Sequence, residues 1–463
     1  MNHFPDIDPA NASRRAFLKR ASMLSLAAGA TPWALTLAAM GEAAAADATG
    51  YKALVCVFLY GGNDQSNTLV PYDVASHDSY RGFRANIAVE RATLTPTVLN
   101  PTVPLAGGRQ YALAPGLAPL APIFDAGRMA VMLNIGTLVQ PTTLAQYNAR
   151  SVPLPPKLFS HNDQQSVWQA SSPEGASSGW GGRMGDLYAA GNGNATFTCI
   201  SVSGNAVYLS GKSAVQYQTT TGGPVPVNGI KSPLFGSSVC SAALQAVMTA
   251  PRTHVFENEY ARVTRRSIDA NDQLTSALAG SNVATVFPTG NNLADQLKMV
   301  ARIIGARNAL GAKRQVFFVS IGGFDTHDSI LTSHPALMAT VGSALGAFYQ
   351  STIELGVAND VTTFTASDFG RTLLSNTDGS DHGWGSMQFV LGGSVLGRSY
   401  VGKAPVMANG GPDDVGQGRL LPAVSVDQFG ATLGRWFGVS DAELRTVLPN
   451  LANFSSTNLG FLA

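Results

Sequence analysis

Short apolar runs alternate with longer amphipathic segments along most of the chain. The short runs are rich in β-branched and aromatic residues, and they predict buried strands over residues 52–59, 129–135, 197–202, 313–321, 361–365 and 387–391. Segments with helical features predict helices over residues 117–124, 157–170, 183–190, 253–279, 292–311, 335–355, 426–437 and 441–448. Because strands and helices alternate, we expect an α/β fold in which a doubly wound, mostly parallel sheet has helices on both faces.

Acidic residues follow the ends of three predicted strands. Paired glycines and then Asp64 come after the first strand, and paired glycines and then Asp325 come after the strand that ends at Ile321. Asp368 follows the strand that begins at Val361. Ligands of doubly wound sheets bind beyond the carboxyl ends of the strands, so one topology would gather the three carboxylates at one edge. The alternative interpretation is a set of ordinary solvated turns.

Histidines accompany these acids. Of the histidines that follow residue 46, three lie in the same motifs, namely His161, His327 and His382. Carboxylates that converge without nearby lysines repel one another unless protons or a cation compensate the charge. Mixed aspartate and histidine ligands suit zinc, manganese or iron, whereas an all-oxygen set suits calcium or magnesium. The candidate metal ligands are therefore Asp64, Asp325, His327, Asp368, Asp381 and His382.

The amino-terminal residues carry an export signal. A twin-arginine motif at Arg14 and Arg15 precedes an apolar, alanine-rich run over residues 21–40 and small residues at 43–46. We expect residues 1–46 to be a cleaved twin-arginine signal peptide and the mature protein to be periplasmic or secreted. The alternative is an uncleaved membrane anchor. No later segment is apolar enough to span a bilayer, so no stable membrane span is expected after cleavage.

Residues 47–463 are expected to form a single domain. Within it, residues 203–237 are rich in Gly, Ser, Thr and Val with little periodicity, which predicts an insertion of short strands and loops that would cap a site. The formal net charge is +1 and only 13% of the residues are charged, so no basic stripe indicates nucleic-acid binding. Cys199 and Cys240 are the favoured disulfide pair, because Cys56 lies in an apolar strand pattern.

Four motifs carry a resemblance to a known family. GGNDQSNTLVPYD, GGFDTHDS, SDFGRT and DHGWGSMQFVLGG, in this order behind a twin-arginine signal, resemble the family known as domain of unknown function 1501. The resemblance covers nearly the whole mature chain. That family is in turn similar to the alkaline phosphatase and sulfatase superfamily, whose members hold two metals at the carboxyl edge of a doubly wound sheet.

The resemblance implies a role for most of the candidate ligands. Asp64 matches the metal ligand that follows the first strand, and Asp368 matches the acid of the second metal. Asp325 and His327 match the ligand pair of the first metal, which His382 would complete.

The resemblance also implies a nucleophile. Ser160, at a predicted helix N-terminus, occupies the region of the superfamily's nucleophile, where a metal and the helix dipole would lower the pKa of the hydroxyl. Ser66 and Thr68 are the alternatives. Arg371 would either clamp an anionic ester through its planar guanidinium or neutralise Asp368 as a structural pair.

Two departures from the superfamily pattern affect the expected metal content. Asp325 and His327 are closer in sequence than is usual, and Phe369 stands where the superfamily usually has a histidine. One metal site would then be weak, singly occupied or lost. We expect one or two divalent ions, with zinc as the first expectation and manganese or calcium as the alternatives.

The function that the resemblance implies is an exported, metal-dependent hydrolase of phosphate or sulfate esters. Its substrate would be a small-molecule or polymer-borne anionic ester. The alternative is a catalytically degenerate relative that acts as a binding or assembly partner of another protein in the cell envelope, which Phe369 favours. A third interpretation, an oxidoreductase, rests on the export route alone, and no G-x-G-x-x-G fingerprint follows a strand.

Overall fold

The computed structural model describes residues 50–463. The predicted signal peptide, residues 1–46, lies outside the described residues. Within residues 50–463, no helix is both long enough and apolar enough to cross a membrane.

Strands and helices alternate through the described residues. The strands are β1 (Lys52–Leu59), β2 (Leu69–Pro71), β3 (Tyr111–Leu113), β4 (Met129–Gly136), β5 (Cys199–Ser201), β6 (Tyr217–Gln218), β7 (Arg314–Ile321), β8 (Val361–Ser367), β9 (Arg371–Ser375), β10 (Ser380–His382), β11 (Ser386–Gly392), β12 (Ser399–Val401) and β13 (Val424–Ser425). The α-helices are α1 (Gln65–Thr68), α2 (Val74–Phe83), α3 (Ala121–Asp125), α4 (Leu144–Ala149), α5 (His161–Ala170), α6 (Trp180–Tyr188), α7 (Ser238–Thr249), α8 (Val255–Ala279), α9 (Asn292–Gly305), α10 (Ile330–Glu354), α11 (Val426–Phe437) and α12 (Asp441–Val447).

One large sheet forms the centre of the molecule. Its strand order is β12-β4-β11-β8-β1-β7-β5-β6, and β13 pairs with the end of β4. Every pairing is parallel except those of β11 with β4 and β8. Almost every residue of β1, β4, β8 and β11 is buried, as expected for strands that are covered on both faces. The prediction of an α/β fold built on a mostly parallel sheet is confirmed.

The register of the central strands positions the candidate residues. Leu59, at the carboxyl end of β1, pairs with Ile321 of β7 on one side and with Ser367 of β8 on the other. Since these strands are parallel, the three segments that follow them leave the sheet at the same edge. The acidic residues predicted as ligands lie in these segments and in the β9–β10 hairpin, so the topology brings them to one place.

Helix α10 holds the loop after β1 in position. His334 on this helix is buried, and its Nε2 lies 3.1 Å from Oδ1 of Asn63. Burial lowers the pKa of His334 to about 4, so the ring is neutral at neutral pH. The helix begins at Ile330, before the predicted start at residue 335, because Pro335 falls in its second turn and does not end the helix.

Several features differ from the sequence-based expectation, among them helices α2 and α4, which were not predicted. Helix α7 was not predicted, and among its residues only Ser241 is buried. All three cysteines are free, so the predicted pairing of Cys199 with Cys240 is wrong. Cys199 is fully buried in β5 and Cys240 lies on α7, which separates them into different parts of the fold.

The predicted insertion, residues 203–237, is partly integrated into the fold. Tyr208 is buried, and its ring packs edge-on against Trp180. β6 extends the edge of the central sheet beside β5. Whether this segment caps a site stays a prediction.

Candidate metal centre

Two glycines let the loops at this edge approach one another. Gly61 and Gly62 have φ angles of 116° and 81°, which favour glycine. A Cβ on Gly61 would lie 2.4 Å from the backbone nitrogen of Asp325, and one on Gly62 would lie 2.4 Å from a ring carbon of Phe369. The glycines therefore allow the loop after β1 to touch the loops after β7 and β8.

Three histidine rings meet a carboxylate at the same edge. His161 is the first residue of α5, His327 lies in the loop after β7, and His382 ends β10. The Nε2 atom of His382 lies 3.0 Å from Nε2 of His161 and 2.8 Å from Nε2 of His327. Oδ1 of Asp325 lies 3.2 Å from Nε2 of both His327 and His382. These four residues are termed the His/Asp cluster.

The spacing of the donor atoms suits one metal ion. One donor atom each from His161, Asp325 and His382 all lie within 4.8 Å of one another, and in residues 50–463 no other group of this kind is found. His327 contacts two of these three residues. Its ring is therefore the fourth candidate donor.

The second nitrogen of each ring faces an oxygen atom. The acceptors are the backbone oxygen of Phe159 for Nδ1 of His382 (2.7 Å), Oδ2 of Asp368 for Nδ1 of His161 (2.7 Å) and Oδ1 of Asp381 for Nδ1 of His327 (3.2 Å). Backbone and carboxylate oxygens accept hydrogen bonds, so each Nδ1 carries the hydrogen. In the neutral rings each Nε2 then has a lone pair directed into the His/Asp cluster.

Lone pairs that face one another at 2.8–3.0 Å repel. The contacts are relieved by protonating both His161 and His327, by protonating His382, whose pKa burial lowers, or by a cation among the nitrogens. Two imidazolium rings against the same atom of His382 would repel each other. One divalent cation would instead accept all the lone pairs, with Nδ1–H of each ring held by an oxygen, as in the metal-binding histidines of proteins. The donor set therefore fits a transition metal.

The charges around the cluster shift the pKa values of its members. The hydrogen bond to Asp368 raises the pKa of His161. Burial lowers the pKa of His382. Burial opposes ionisation of Asp325, but the hydrogen bond and charge of Arg371 outweigh it and lower the pKa of Asp325. Asp325 is therefore ionised at neutral pH.

Each guanidinium nitrogen of Arg371 contacts an oxygen atom of the protein. Its side chain is 0% exposed, and Nη1 donates to Oδ1 of Asp325 at 2.7 Å and to the backbone oxygen of Gly61 at 3.2 Å. Nη2 donates to the backbone oxygen of Ser380. Arg371 therefore forms an ion pair with Asp325 and not with Asp368, and its role toward an anionic ester stays a prediction.

Asp64 lies beneath the cluster in a separate buried pair. Its Oδ2 accepts from Arg84 and from the hydroxyl of Ser380 at 2.7 Å, and its Oδ1 accepts from the backbone nitrogen of Asn67 at 3.0 Å. The side chains of Asp64 and Arg84 are both 0% exposed. The structure thus gives Asp64 a positive partner inside the protein, and its role as a metal ligand stays a prediction.

Asp368 and Asp381 lie behind the histidine rings. Oδ2 of Asp368 accepts from His161, from Gln165 at 2.8 Å and from the backbone nitrogen of Gly61 at 3.2 Å. Oδ1 of Asp368 is buried and has no hydrogen-bond partner among the described residues. In these positions both carboxylates orient rings, and their ligand roles stay predictions.

Ser160 directly precedes the cluster residue His161. Its hydroxyl donates to Oδ2 of Asp163 at 3.2 Å, and Asp163 is also paired with Lys157 at 3.4 Å. Phe369, the departure from the superfamily pattern, places its ring against two cluster rings, with centroid distances of 4.9 Å to His161 and 4.7 Å to His382.

A comparison with protein families identifies the chain. Residues 51–449 match the family described as "Protein of unknown function (DUF1501)". The chain belongs to the DUF1501 family. The family that the four sequence motifs indicated is thereby confirmed.

Solved structures show low similarity to this DUF1501 protein. The lipoteichoic acid synthase LtaP from Listeria monocytogenes has a TM-score of 0.35 and 10% identity, over 89% of this chain and 77% of that chain. The PsFucS1 sulfatase from Pseudoalteromonas sp. has a TM-score of 0.34 and 10% identity, over 89% of this chain and 73% of that chain. No curated protein sequence matches the DUF1501 chain significantly.

Sequence reasoning missed two residues at the site of this DUF1501 protein. The sequence places His161 among the motif histidines but does not predict it as a ligand, and the available signal is its position next to Ser160 at the start of a helix. Arg84 follows helix α2, twenty residues after Asp64. No local pattern marks it as the partner of a buried carboxylate.

Proposed function

We propose that this DUF1501 protein is a metal-dependent hydrolase of phosphate or sulfate esters. The observation that carries the proposal is the convergence of three Nε2 lone pairs and the Asp325 carboxylate on one point. A bound divalent cation would supply Lewis-acid polarisation of an ester oxygen and charge stabilisation in the transition state. The mixed nitrogen and oxygen donors favour zinc, with manganese as the alternative, over calcium, which prefers oxygen ligands.

The proposal includes one ion at the His/Asp cluster. Arg84 and Arg371 supply fixed positive charge to Asp64 and Asp325, which reduces the need for a second cation at this edge. Asp368 and Asp381 hold the rings of His161 and His327 with their lone pairs directed inward. Such outer hydrogen bonds fix ring orientation and raise the basicity of the metal-binding nitrogen.

Ser160 is the proposed nucleophile, with a water molecule as the alternative. The hydroxyl of Ser160 donates to the Asp163 carboxylate, which gives the serine proton an acceptor at 3.2 Å. A serine with an adjacent acceptor matches the arrangement of activated nucleophiles. Lys157 also contacts this carboxylate, with its Nζ 3.4 Å from Oδ2 of Asp163.

Export is part of the proposed function. The twin-arginine motif at Arg14 and Arg15 and the small residues before position 47 support a periplasmic or secreted hydrolase. An exported enzyme of this class would act on small-molecule or polymer-borne anionic esters outside the cytoplasm.

The test is an ester screen on the mature protein. Chromogenic phosphate monoesters, phosphate diesters and aryl sulfates are offered with and without added zinc, manganese and calcium. We expect turnover of at least one class, lost in His382→Ala and retained in the control His254→Ala, because His254 is exposed and contacts no cluster residue. Equal background rates for the wild type and His382→Ala across all classes would refute the hydrolase.

A second candidate function is a catalytically degenerate binding partner in the cell envelope. Phe369 favours it, since an apolar ring packs against His161 and His382 at the place where the superfamily pattern has a metal-binding histidine. This candidate predicts a metal-loaded protein that hydrolyses none of the esters. Substituting Phe369 by His would then add metal capacity without removing the fold.

A further inference from the structure

Four cationic side chains belong to the segments around the His/Asp cluster, and three of them form ion pairs with carboxylates. Arg84 pairs with Asp64, Arg371 pairs with Asp325, and Lys157 pairs with Asp163. Arg84 and Arg371 are also fully buried, so neither guanidinium can reach a ligand from solvent. The fourth cation is Arg419. No carboxylate in the described part of the chain lies within 4.0 Å of its guanidinium.

Arg419 is held beside the cluster by contacts that leave part of its guanidinium open. Its Nε donates to the backbone oxygen of His382 at 2.7 Å, and the guanidinium lies over the ring of Phe159, 5.0 Å from the centroid. Phe159 in turn accepts from Nδ1 of His382 through its backbone oxygen. Nη1 makes a longer contact, 3.3 Å, to the backbone oxygen of Gly416. Nη2 donates no hydrogen bond within residues 50–463.

The surroundings of Arg419 are suited to an anion. The side chain is half-buried, so its charge is partly removed from water, and stacking on Phe159 limits its rotation. Asp381 contacts Nδ1 of His327 and accepts from Asn376 at 2.9 Å, and it forms no ion pair with Arg419. A planar guanidinium whose Nη2 donates no hydrogen bond, and whose Nη1 makes only the 3.3 Å contact to Gly416, can donate to the oxygens of a phosphoryl or sulfuryl group.

We propose that Arg419 binds the tetrahedral oxyanion of the substrate, a phosphoryl or sulfuryl group, at the rim of the His/Asp cluster. This inference rests on the proposed hydrolase function and names the residue that recognises the substrate's charge. It assigns to Arg419 the anion-binding role that the sequence offered to Arg371. Arg371 lacks the free donors and the exposure that the role requires.

The first test is anion binding by the purified mature protein, and it does not depend on turnover of an ester. Binding of inorganic phosphate and inorganic sulfate is measured by calorimetry on the wild type, Arg419→Gln and the control Arg91→Gln. Arg91 is a matched control because its Nε also donates to a backbone oxygen, that of Tyr72, and its guanidinium also stacks on that ring at 4.5 Å. Removing charge-assisted hydrogen bonds should weaken anion binding about tenfold or more in Arg419→Gln only.

Metal content is measured on the same samples. Equal metal content in the wild type and Arg419→Gln is the expected result. Anion binding as tight as the wild type in Arg419→Gln would overturn the proposal. Loss of metal in that variant would also overturn it, because Arg419 would then serve to position His382. The ratio of phosphate to sulfate affinity shows which oxyanion the site prefers.

A second measurement needs no variant. Phenylglyoxal modifies accessible arginines, and mass spectrometry of the wild type reads the extent at Arg419 with and without phosphate. Phosphate should protect Arg419 and leave the modification of Arg91 unchanged; equal modification of Arg419 in both samples would refute the site.

Anion binding through Arg419 without ester turnover would refute the proposed hydrolase but not this site. Ester turnover with an unchanged KM in Arg419→Gln would refute the anion site at Arg419 but not the proposed hydrolase.

Discussion

The Nε2 atoms of His327 and His382 lie 2.8 Å apart, although the hydrogen of each ring is held on its other nitrogen. Asp381 accepts from His327 and the backbone oxygen of Phe159 accepts from His382. Two lone pairs at this distance need a positive charge between them. The same relationship recurs between His382 and His161, which makes His382 the centre of the cluster.

Asp368 is predicted to tune metal affinity through His161. Asp368→Asn keeps the shape of the side chain but replaces a charged acceptor of the His161 Nδ1–H by a neutral one. We expect metal affinity to fall by about 10- to 100-fold, the range for outer partners of metal-binding histidines. Competition with a chelator gives the affinity, and the control is Glu354→Gln, which changes an exposed carboxylate that contacts residues 284 and 285 and no cluster residue. An affinity equal to the wild type would contradict the orienting role of Asp368.

The buried pair of Arg84 and Asp64 is predicted to be critical for stability. Arg84→Met leaves the fully buried Asp64 carboxylate without its cation and should lower the free energy of unfolding by about 3–5 kcal/mol. Urea denaturation measures the loss. The double variant Asp64→Asn with Arg84→Met should lose less than Arg84→Met alone. A cost below about 1 kcal/mol for the single variant would show that the carboxylate is neutralised by another group.

Ser160→Ala separates a serine nucleophile from attack by water. If Ser160 attacks the ester, turnover should fall by about 100-fold or more while metal content stays unchanged, since the hydroxyl contacts Asp163 and no cluster residue. Steady-state rates and metal analysis on the same sample give both quantities. Turnover at the wild-type rate would assign the attack to water and leave the metal site intact.

Asp427 is predicted to make stability depend on pH. Burial raises its pKa to about 6, against hydrogen bonds from Asn450 and Ser171 that favour the charged form. In the unfolded chain the pKa is near 3.8, so the folded state binds the proton more tightly. The contribution of Asp427 to the free energy of unfolding is therefore fully present below about pH 4, and this contribution is lost as the pH rises through about 6.

The loss attributed to Asp427 amounts to about 3 kcal/mol. Denaturation at intervals between pH 4 and pH 7 should show this decline in the wild type relative to Asp427→Asn, which has no charge to bury. Identical pH profiles for the two proteins would contradict the raised pKa.

Much of the candidate site at the edge of the sheet was predictable from sequence, because the patterns that mark its residues are local. Asp64, Asp325 and Asp368 each follow a buried strand within a few residues, and the parallel register of β1, β7 and β8 then places them at one edge. His327 and His382 lie in the same segments. Candidate ligands that follow strand ends can be recognised in a single sequence, because the hydrophobic pattern alone locates the strand ends.

The division of roles among these residues was not predictable in the same way. Whether a carboxylate faces the centre of the cluster, as Asp325 does, or the back of a histidine ring, as Asp368 does, depends on side-chain direction after folding. The pairing of Asp64 with Arg84 depends on helix α2 ending against the strand edge, a tertiary contact without a sequence motif. The positively charged partners of the acidic residues could therefore be identified only from the structure.

The metal content of the mature protein tests the central claim most directly. The protein is exported by its own signal, purified without chelators, and analysed by mass spectrometry for metals alongside His161→Ala, His327→Ala and the control His254→Ala. The account predicts about one equivalent of a transition metal, zinc first, in the wild type and in His254→Ala, and its loss in the two cluster variants. A wild-type protein without bound metal, or one whose metal survives both cluster substitutions, would contradict it.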